Sequence, residues 1–519
     1  MFRNLRVGAL GAALLGAATV GGFAPFELYP VPLVTLALLI VLWRCSTNRM
    51  NAALTGFAFG MGFFLAGVSW VYVSLHDFGA MPPLLAGLMT LLFCMILAAY
   101  PAITGYVYYA MGPRSALATL AVLPAMWTLT EWLRGWLFTG FPWIALGYAQ
   151  VPTSPLAGYL PILGIYGATY ATVLTAAALV TLSSATREIL NKNQPRPALW
   201  TLITHHSSLI IAVTWLTGYA LKQIDWTEPA GEPIKVSLLQ GNIPQELKWR
   251  GDKIESTLSA YRDMVAASDA RLIILPETAL PLFLHELPPS YVEELAAHAR
   301  ANRGDVLVGI PERTDARDYY NSVLSFGSAP NQTYRKSHLV PFGEFVPLKL
   351  LFGWFFEVAQ IPLLDFARGA DTQQPFAVAG QEVAVNICYE DAFGDEIIRQ
   401  LPRATLLVNV SNVAWFGRSL APRQHLQISQ ARAIETGRYM LRATNTGMTA
   451  IIDQRGHVLQ AAPEYTTTII TGQVQGYQGA TPYVRWGNVP VIALMLSLAL
   501  AGGWLAQRGT GKIRGSSTS

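Results

Sequence analysis

E-V-A-V-N-I-C-Y-E, residues 382–390, is a short β-branched run that ends in a cysteine with polar neighbours. Its apolar residues predict a strand over 382–387. Cys388 ends that strand and is followed directly by Tyr389 and Glu390. Because open α/β sheets place their chemistry at the carboxyl ends of strands, this position indicates a functional cysteine.

The region around this run has the composition of a soluble domain in which strands alternate with helices. The predicted strands are 234–240, 271–275, 305–310, 321–327, 382–387, 404–410, 448–453 and 467–474. The predicted helices are 252–268, 290–303, 392–400 and 422–437. Near-continuous apolar strands between helices predict an α/β layer fold whose sheets are covered on their faces.

The rest of the chain is much more apolar. Of the 519 residues 52% are apolar and 13% charged, and the mean hydropathy is +0.34. A helix needs about 20 apolar residues to cross a bilayer. Eight stretches come near that length: 7–24, 29–45, 52–75, 84–111, 115–137, 158–184, 199–221 and 488–506. The first resembles a secretory signal, but no A-x-A cleavage site closes it, so we interpret it as a span.

Basic residues fall in alternate connections between these stretches. The connections 24–29, 76–83 and 138–157 contain neither Lys nor Arg. The others contain Arg3, Arg6, Arg44, Arg49, Arg114, Arg187, Lys192, Arg196, Arg508, Lys512 and Arg514. Since basic loops remain in the cytoplasm, both termini are expected inside.

This alternation predicts a division of the chain into three parts. Residues 1–225 would contain seven transmembrane helices, and residues 226–484 would form a domain outside the membrane, in the periplasm of a bacterium. Residues 485–519 would form the eighth helix and a cytoplasmic tail. A net charge of only +4, from 36 basic and 32 acidic residues, argues against a nucleic-acid binder.

Two ionisable residues lie within a predicted span. Glu131 and Arg134 are three residues apart, a spacing that puts both on one helix face. We interpret them as a pair that reaches the membrane interface, although ionisable residues at membrane depth are often functional. The nearby aromatic residues indicate an interfacial belt: Trp127, Trp132, Trp136, Trp143 and Tyr148.

The cysteine needs a base if it is a nucleophile, and the residues leave two alternatives open. One partner is a histidine, for which His338 and His425 are the best placed. The other is Glu277, which follows strand 271–275 among apolar neighbours that would raise the pKa of its carboxyl. Lys336 could then hold the thiolate. A small buried thiol that only packs remains the structural alternative for Cys388.

The order of several motifs resembles the Glu-Lys-Cys triad of the nitrilase superfamily. The three that carry this likeness are L-P-E-T (275–278), Y-R-K-S-H-L-V-P-F-G-E-F-V-P (334–347) and I-C-Y-E (387–390). Together with eight spans they resemble, more narrowly, the apolipoprotein N-acyltransferase family. Further matches are Q-G-N-I-P-Q-x-x-K-W (240–249), N-V-S-N-x-A-W-F-G (409–417), R-A-I-E-T-G-R (432–438) and T-N-T-G-M-T-A (444–450).

The resemblance implies a fold, a reaction and a set of site residues. The fold is an αββα sandwich joined to a membrane helical bundle. The reaction moves a fatty acyl group from a phospholipid, typically phosphatidylethanolamine, to the N-terminal amine of a diacylglyceryl-cysteine apolipoprotein, through a cysteine thioester and without a cofactor. Cys388 would be the nucleophile, Glu277 the base and Lys336 the oxyanion-stabilising residue.

The same resemblance assigns supporting roles. Glu344 would be a second glutamate that supports the site, and Tyr389 and Glu390 would shape the wall beside the nucleophile. Trp249 and Trp415 would lie on mobile loops at a lipid entrance. Departures from the family pattern, at Leu275, Val413 and Tyr439, put loop conformation and substrate preference in doubt. Nothing in the sequence requires more than a monomer.

Two rival classes remain. A membrane-tethered amidase could use the same triad to hydrolyse a small amide, but it would leave Trp249 and Trp415 without a task. A transporter would need more intramembrane charge than Glu131 and Arg134 and visible duplicated halves.

Overall fold

The computed structural model describes residues 5–113, 115–190, 198–314, 318–345 and 366–515. Some residues used in the sequence argument lie outside these ranges: Arg3, Arg114, Lys192, Arg196, Val346 and Pro347. The chain divides into two compact units. The first comprises Met1–Tyr72, Leu84–Ile224 and Trp486–Ser519, and the second comprises Val73–Pro83 and Asp225–Arg485.

The first unit is helical. A helix lies over each of the eight predicted apolar stretches: Leu5–Thr19, Pro30–Cys45, Arg49–Val68, Pro83–Ala110, Leu123–Arg134, Leu160–Leu190, Ala198–Lys222 and Val489–Gly515. Within the described residues, three helical segments are long and apolar enough to cross a membrane: Arg49–Val68, Pro83–Ala110 and Pro155–Ser184. Three shorter ones are also apolar: Gly8–Gly22, Pro30–Cys45 and Val489–Trp504.

Two predicted stretches were wrong in extent. The stretch 52–75 is too long, because its helix ends at Val68 and a separate π-helical turn spans Ser74–Phe78. The stretch 115–137 begins with a π-helical segment, Ala118–Val122, before the α-helix Leu123–Arg134. Neither change in helix type can be predicted from hydropathy, because a π-helix and an α-helix do not differ in composition.

The interpretation of Glu131 and Arg134 as an interfacial pair is wrong. Both side chains are buried and hold the loop that follows their helix. Glu131 accepts hydrogen bonds from the Leu146 amide at 3.0 Å and from the Thr169 hydroxyl at 2.8 Å. Arg134 donates to the carbonyl oxygens of Phe141, at 2.6 Å, and of Trp143, at 2.7 Å. The two residues therefore satisfy buried backbone groups of a non-helical segment.

The aromatic residues near this pair are not an exposed belt either. Trp127, Trp143 and Tyr148 are buried, and only Trp136 is largely exposed. Trp127 donates a 3.0 Å hydrogen bond to Glu131, so it belongs to the same internal cluster.

The second unit contains two six-stranded sheets. The strands in chain order are β1 Glu228–Gln240, β2 Leu272–Ile274, β3 Asp305–Arg313, β4 Tyr319–Gly327, β5 Thr333–Arg335, β6 Phe376–Val378, β7 Gln381–Ile387, β8 Leu406–Ser411, β9 Tyr439–Thr444, β10 Ala450–Ile452, β11 Val458–Ala461 and β12 Thr468–Gln478. One sheet has the order β12-β1-β2-β3-β4-β5 and the other β11-β10-β9-β8-β7-β6. In each sheet the three central strands are parallel.

The sheets stack face to face and helices cover their outer faces. Alternate strand residues such as Leu272 and Ile274 join the core between the sheets, where they meet Val385 and Val408 of the second sheet. Ile273, between them in the chain, faces the other way. This is the period of two expected for a strand.

The covering helices complete an αββα sandwich, which confirms the predicted fold of this region. Helices Gly251–Ala266 and Pro289–Ala301 pack on the first sheet. Helix Ala421–Thr436 packs on the second and ends at Gly437, whose φ of +64° favours glycine.

Candidate active site

Cys388 follows β7 directly, as predicted, and its backbone is in a conformation that is unusual for a residue with a side chain. Its φ is +55°, and its side chain is 9% exposed. The carbonyl oxygen of Cys388 accepts a 3.0 Å hydrogen bond from the Asn409 amide and lies 3.2 Å from Nε2 of His425. Left-handed backbone at a non-glycine residue costs about 1 kcal/mol or more, and such strain clusters at functional sites.

Three other predicted residues come together around one ammonium group. Lys336, the first residue after β5, is buried and donates a 2.8 Å hydrogen bond to Oε1 of Glu344. Its Nζ also lies 3.5 Å from Oε1 of Glu277. Asn321 of β4 bridges the two carboxylates, at 2.7 Å from Glu277 and 3.1 Å from Glu344. The structure therefore places one cation and one amide between the buried carboxylate of Glu277 and the partly buried carboxylate of Glu344.

The expected increase in the pKa of Glu277 is wrong in sign. Burial does raise the pKa, but the Lys336 ammonium, the Asn321 amide, the Lys248 ammonium and the main-chain amide of Asn412 together lower it below its ordinary value. Asn412 donates to Oε2 at 2.7 Å. Glu277 is therefore ionised at neutral pH and available to accept a proton.

The thiol of Cys388 has the opposite tendency. Burial raises its pKa, and the negative charges of Glu277 and Glu344 raise it further, against the lowering effect of Lys336. The thiol is therefore protonated at neutral pH. A nucleophilic Cys388 would need a base during attack, and the Glu277 carboxylate, whose negative charge acts on the thiol, has the accepting oxygens for that role.

Glu390 joins the cysteine turn to the lysine loop. Its carboxylate accepts hydrogen bonds from the main-chain amides of Ile387 and Ser337, both at 2.6 Å, and of His338, at 3.1 Å. The hydroxyls of Ser337 and Tyr334 donate to it as well. Burial raises the pKa of Glu390 more than these donors lower it. Tyr389, beside it, is buried and its ring lies edge-on to Phe393 at 5.0 Å.

The two histidines considered as bases are both engaged with carboxylates. Nε2 of His425 lies 2.6 Å from Oδ1 of Asp391 and 3.2 Å from the carbonyl oxygen of Cys388. Nδ1 of His338 lies 3.1 Å from Glu396, and its ring stacks on Phe393 at 3.7 Å. These contacts favour Glu277 over a histidine as the partner of Cys388.

The two predicted loop tryptophans are exposed. Trp249, in the loop after β1, is 53% exposed, and Trp415, in the loop after β8, is 41% exposed. Trp415 contacts Phe78 edge-on at 6.2 Å, and its carbonyl oxygen accepts a 2.8 Å hydrogen bond from Ser74.

Sequence reasoning assigned no role to three residues that contact Glu277: Lys248, Asn321 and Asn412. Lys248 and Asn412 lie inside the quoted motifs 240–249 and 409–417, so their motifs were the available signal. Asn321 lies at the start of a predicted strand, and nothing in the sequence around it indicated a role in the site. Among the described residues, no cluster of three or more His, Cys, Asp or Glu side chains could hold a metal ion.

The three residues that depart from the family pattern take part in packing. Leu275 and Val413 are buried, and Tyr439 begins β9 and stacks on Tyr477 at 5.9 Å.

The comparisons define the class first. The family model described as carbon-nitrogen hydrolase matches residues 235–483, and the model described as apolipoprotein N-acyltransferase N-terminal domain matches residues 15–178. Among solved structures, a carbon-nitrogen hydrolase from Helicobacter pylori is 14% identical, with a TM-score of 0.36 over 50% of this chain and 95% of that one. Because the carbon-nitrogen hydrolase model covers residues 235–483, the second unit carries a domain of the nitrilase superfamily.

Full-length relatives then define the family. The apolipoprotein N-acyltransferase of Nitrosomonas europaea is 54% identical and covers 97% of this chain and 98% of its own length. That of Chromobacterium violaceum is 46% identical over 95% and 94%, and that of Neisseria meningitidis serogroup B is 39% identical over 94% of each. The chain belongs to the apolipoprotein N-acyltransferase family, as the sequence motifs predicted.

Proposed function

We propose that the protein transfers a fatty acyl group from a membrane phospholipid to the N-terminal amine of a diacylglyceryl-cysteine apolipoprotein, through a thioester on Cys388. The observation that carries the proposal is the pair of contacts made by the Lys336 ammonium, at 3.5 Å from Glu277 and 2.8 Å from Glu344. A protonated thiol, an ionised carboxylate and a fixed ammonium are the groups that acyl transfer requires.

In the first half-reaction, Sγ of Cys388 attacks the carbonyl carbon of the sn-1 ester. A C–S bond forms while Glu277 accepts the thiol proton, and the carbonyl oxygen becomes an oxyanion stabilised by Lys336. Collapse of this intermediate breaks the ester C–O bond. Glu277 returns the proton to the departing oxygen, so a lysophospholipid leaves and a thioester remains.

In the second half-reaction, the neutral N-terminal amine of the apolipoprotein attacks the thioester carbonyl. A C–N bond forms, the C–S bond breaks, and Glu277 carries the proton from the amine to the sulfur of Cys388. The acyl group needs no further activation, because it is already bound as an ester in the phospholipid and then as a thioester on Cys388.

The supporting residues receive roles from their contacts. Glu344 orients Lys336 through the 2.8 Å hydrogen bond, and Glu390 joins the Lys336 loop to the Cys388 turn. We assign Tyr389 to the wall beside the nucleophile. The exposed rings of Trp249 and Trp415 suit contact with lipid chains.

The setting we propose is a bacterial inner membrane. Eight helices would span it, seven of them within 1–225 and one within 485–519, and residues 226–484 would form the catalytic domain in the periplasm. Phosphatidylethanolamine is the proposed acyl donor, and the protein would act as a monomer without a cofactor.

Intact mass spectrometry tests the proposal directly. The purified protein is incubated with phosphatidylethanolamine alone, and Cys388→Ala is treated in parallel. We expect a gain of one fatty acyl group that hydroxylamine removes and that the variant lacks. An active wild-type protein that forms no adduct would contradict the thioester, and release of free fatty acid or turnover of a small amide would favour the amidase alternative.

A further inference from the structure

We propose that Lys248 is a positioning residue of the acyl-transfer site, which holds the main chain of Glu277 and places a second positive charge beside its carboxylate. This inference rests on the proposed function, because it concerns the base of that reaction. Lys248 lies in the loop after β1, next to the exposed Trp249, yet its own side chain is only 4% exposed.

Lys248 contacts the main chain of Glu277 directly. Nζ of Lys248 donates a 3.3 Å hydrogen bond to the carbonyl oxygen of Glu277. That carbonyl precedes Thr278, whose φ is +48°, so the turn that carries Glu277 is in an unusual conformation. On its other side the turn presses against Gly309 of β3, where a Cβ atom would lie 2.8 Å from the Glu277 Cα. A lysine that binds the carbonyl oxygen opposes relaxation of this turn.

The negative charges around Lys336 also favour a second cation at this site. Glu277, Glu344 and, after proton loss, Cys388 are three anionic groups within one buried set. Lys336 is shared between the two carboxylates, at 3.5 Å and 2.8 Å. Lys248 is the second buried lysine whose charge interacts with both Glu277 and Cys388. A second cation reduces the cost of keeping this many negative charges out of water.

The loop that carries Lys248 also holds Glu277 through a second chain of hydrogen bonds. Gln245, three residues before Lys248, accepts a 2.7 Å hydrogen bond from the Asn412 side chain. The main-chain amide of Asn412 in turn donates to the Glu277 carboxylate at 2.7 Å. Residues 245–248 therefore fix both the carbonyl and the carboxylate of the proposed base.

Lys248 is charged over the pH range in which the base must ionise. Burial lowers the pKa of Lys248 to about 8, while Glu277 and Cys388 act to raise it. Its ammonium therefore favours the ionised form of Glu277 throughout the acidic range. Loss of this charge should raise the pKa of Glu277 and move the acid limb of thioester formation to higher pH.

The experiment measures the rate of acyl-enzyme formation from phosphatidylethanolamine between pH 4 and pH 9. Lys248→Gln removes the charge and keeps a donor, Lys248→Arg keeps the charge, and Lys253→Gln removes an exposed lysine five residues away as the matched control. We expect Lys248→Gln to shift the acid limb upward by about one pH unit and to slow the reaction about tenfold at the wild-type optimum. Lys248→Arg and Lys253→Gln should keep the wild-type limb.

The outcomes separate the two proposals. A wild-type limb in folded Lys248→Gln, or an equal shift in Lys248→Arg, would overturn the role of Lys248 while the thioester mechanism stands. If the wild-type protein forms no acyl-enzyme, the proposed function fails and this inference fails with it. Should Lys248→Gln not fold, a shifted limb in Lys248→Arg would still contradict the proposal.

Discussion

The carboxylate of Glu390 accepts a 2.6 Å hydrogen bond from the main-chain amide of Ser337. Ser337 directly follows Lys336, and Glu390 lies two residues after Cys388, so this one bond joins the two segments that carry the proposed oxyanion residue and nucleophile. The same carboxylate binds the amide of Ile387 at the end of β7. A buried carboxylate with several donors is a rigid link, because every alternative leaves backbone groups unsatisfied.

We predict that Glu390→Gln destabilises the protein by about 2 kcal/mol or more, since an amide cannot accept on both atoms and one buried N–H loses its partner. Thermal unfolding in detergent measures the loss. Glu255→Gln, on an exposed helix position, is the matched control and should unfold like the wild type. An unchanged unfolding temperature in Glu390→Gln would show that the link is not needed for the fold.

A second prediction concerns the proposed base. Glu277→Gln should leave the fold intact and slow thioester formation by roughly a hundredfold or more, because the thiol proton then has no acceptor. Cys388→Ala should abolish both half-reactions. Acyl-enzyme mass measured over time distinguishes the two variants, and circular dichroism checks that each is folded. Full transfer by Cys388→Ala would mean that another group is the nucleophile.

The strand pattern was sufficient to predict an α/β fold with covered sheets and the positions of Cys388 and Glu277 at strand ends, and the family resemblance implied the αββα arrangement. Long apolar runs such as 382–387 carry that signal, because the central strands are buried on both faces. Short edge strands such as Thr333–Arg335 have too few residues to form such a run. The strand Tyr439–Thr444 was missed because Arg442, buried in the second sheet, interrupts its apolar pattern.

The pKa of Glu277 could not be predicted from its neighbours in the sequence. Leu275 and Pro276 adjoin Glu277 in the chain and suggested an apolar environment that would raise its pKa. The residues that decide its pKa, among them Lys336 and Asn412, are 59 and 135 residues away in the chain. For the same reason two of the hydrogen-bond donors of Glu131 could not be predicted, since Leu146 belongs to a loop and Thr169 to another helix.

A third prediction follows from the pKa of Cys388, which burial and the Glu277 charge raise and the Lys336 ammonium lowers. Alkylation by iodoacetamide should be slow at pH 7 and continue to increase through pH 9, because thiolate is scarce. Lys336→Gln should slow alkylation at pH 8 by about tenfold, since a pKa increase of one unit removes nine-tenths of the thiolate. The measurement uses mass spectrometry in a background with Cys45→Ala and Cys94→Ala.

Lys253→Gln removes an exposed lysine and serves as the control for this experiment. It should be alkylated at the wild-type rate. Faster alkylation of Lys336→Gln than of wild type would contradict a stabilising effect of Lys336 on the thiolate.

The last prediction concerns His425, the histidine nearest the cysteine backbone. Burial and the Arg442 charge lower its pKa below 6.5, although Asp391 acts in the opposite direction. His425 is therefore mainly neutral at pH 7, and its titration should add no limb to thioester formation above pH 6.5. Because the unfolded chain takes up a proton that folded His425 resists, stability should decrease as the pH falls below 6.5. His425→Gln should reduce this pH dependence and leave the shape of the rate profile unchanged.

His457→Gln, at an exposed histidine, is the control for both measurements and should match the wild type in each. A rate limb near pH 6.5 that disappears in His425→Gln would identify this histidine, rather than Glu277, as the group that takes the thiol proton.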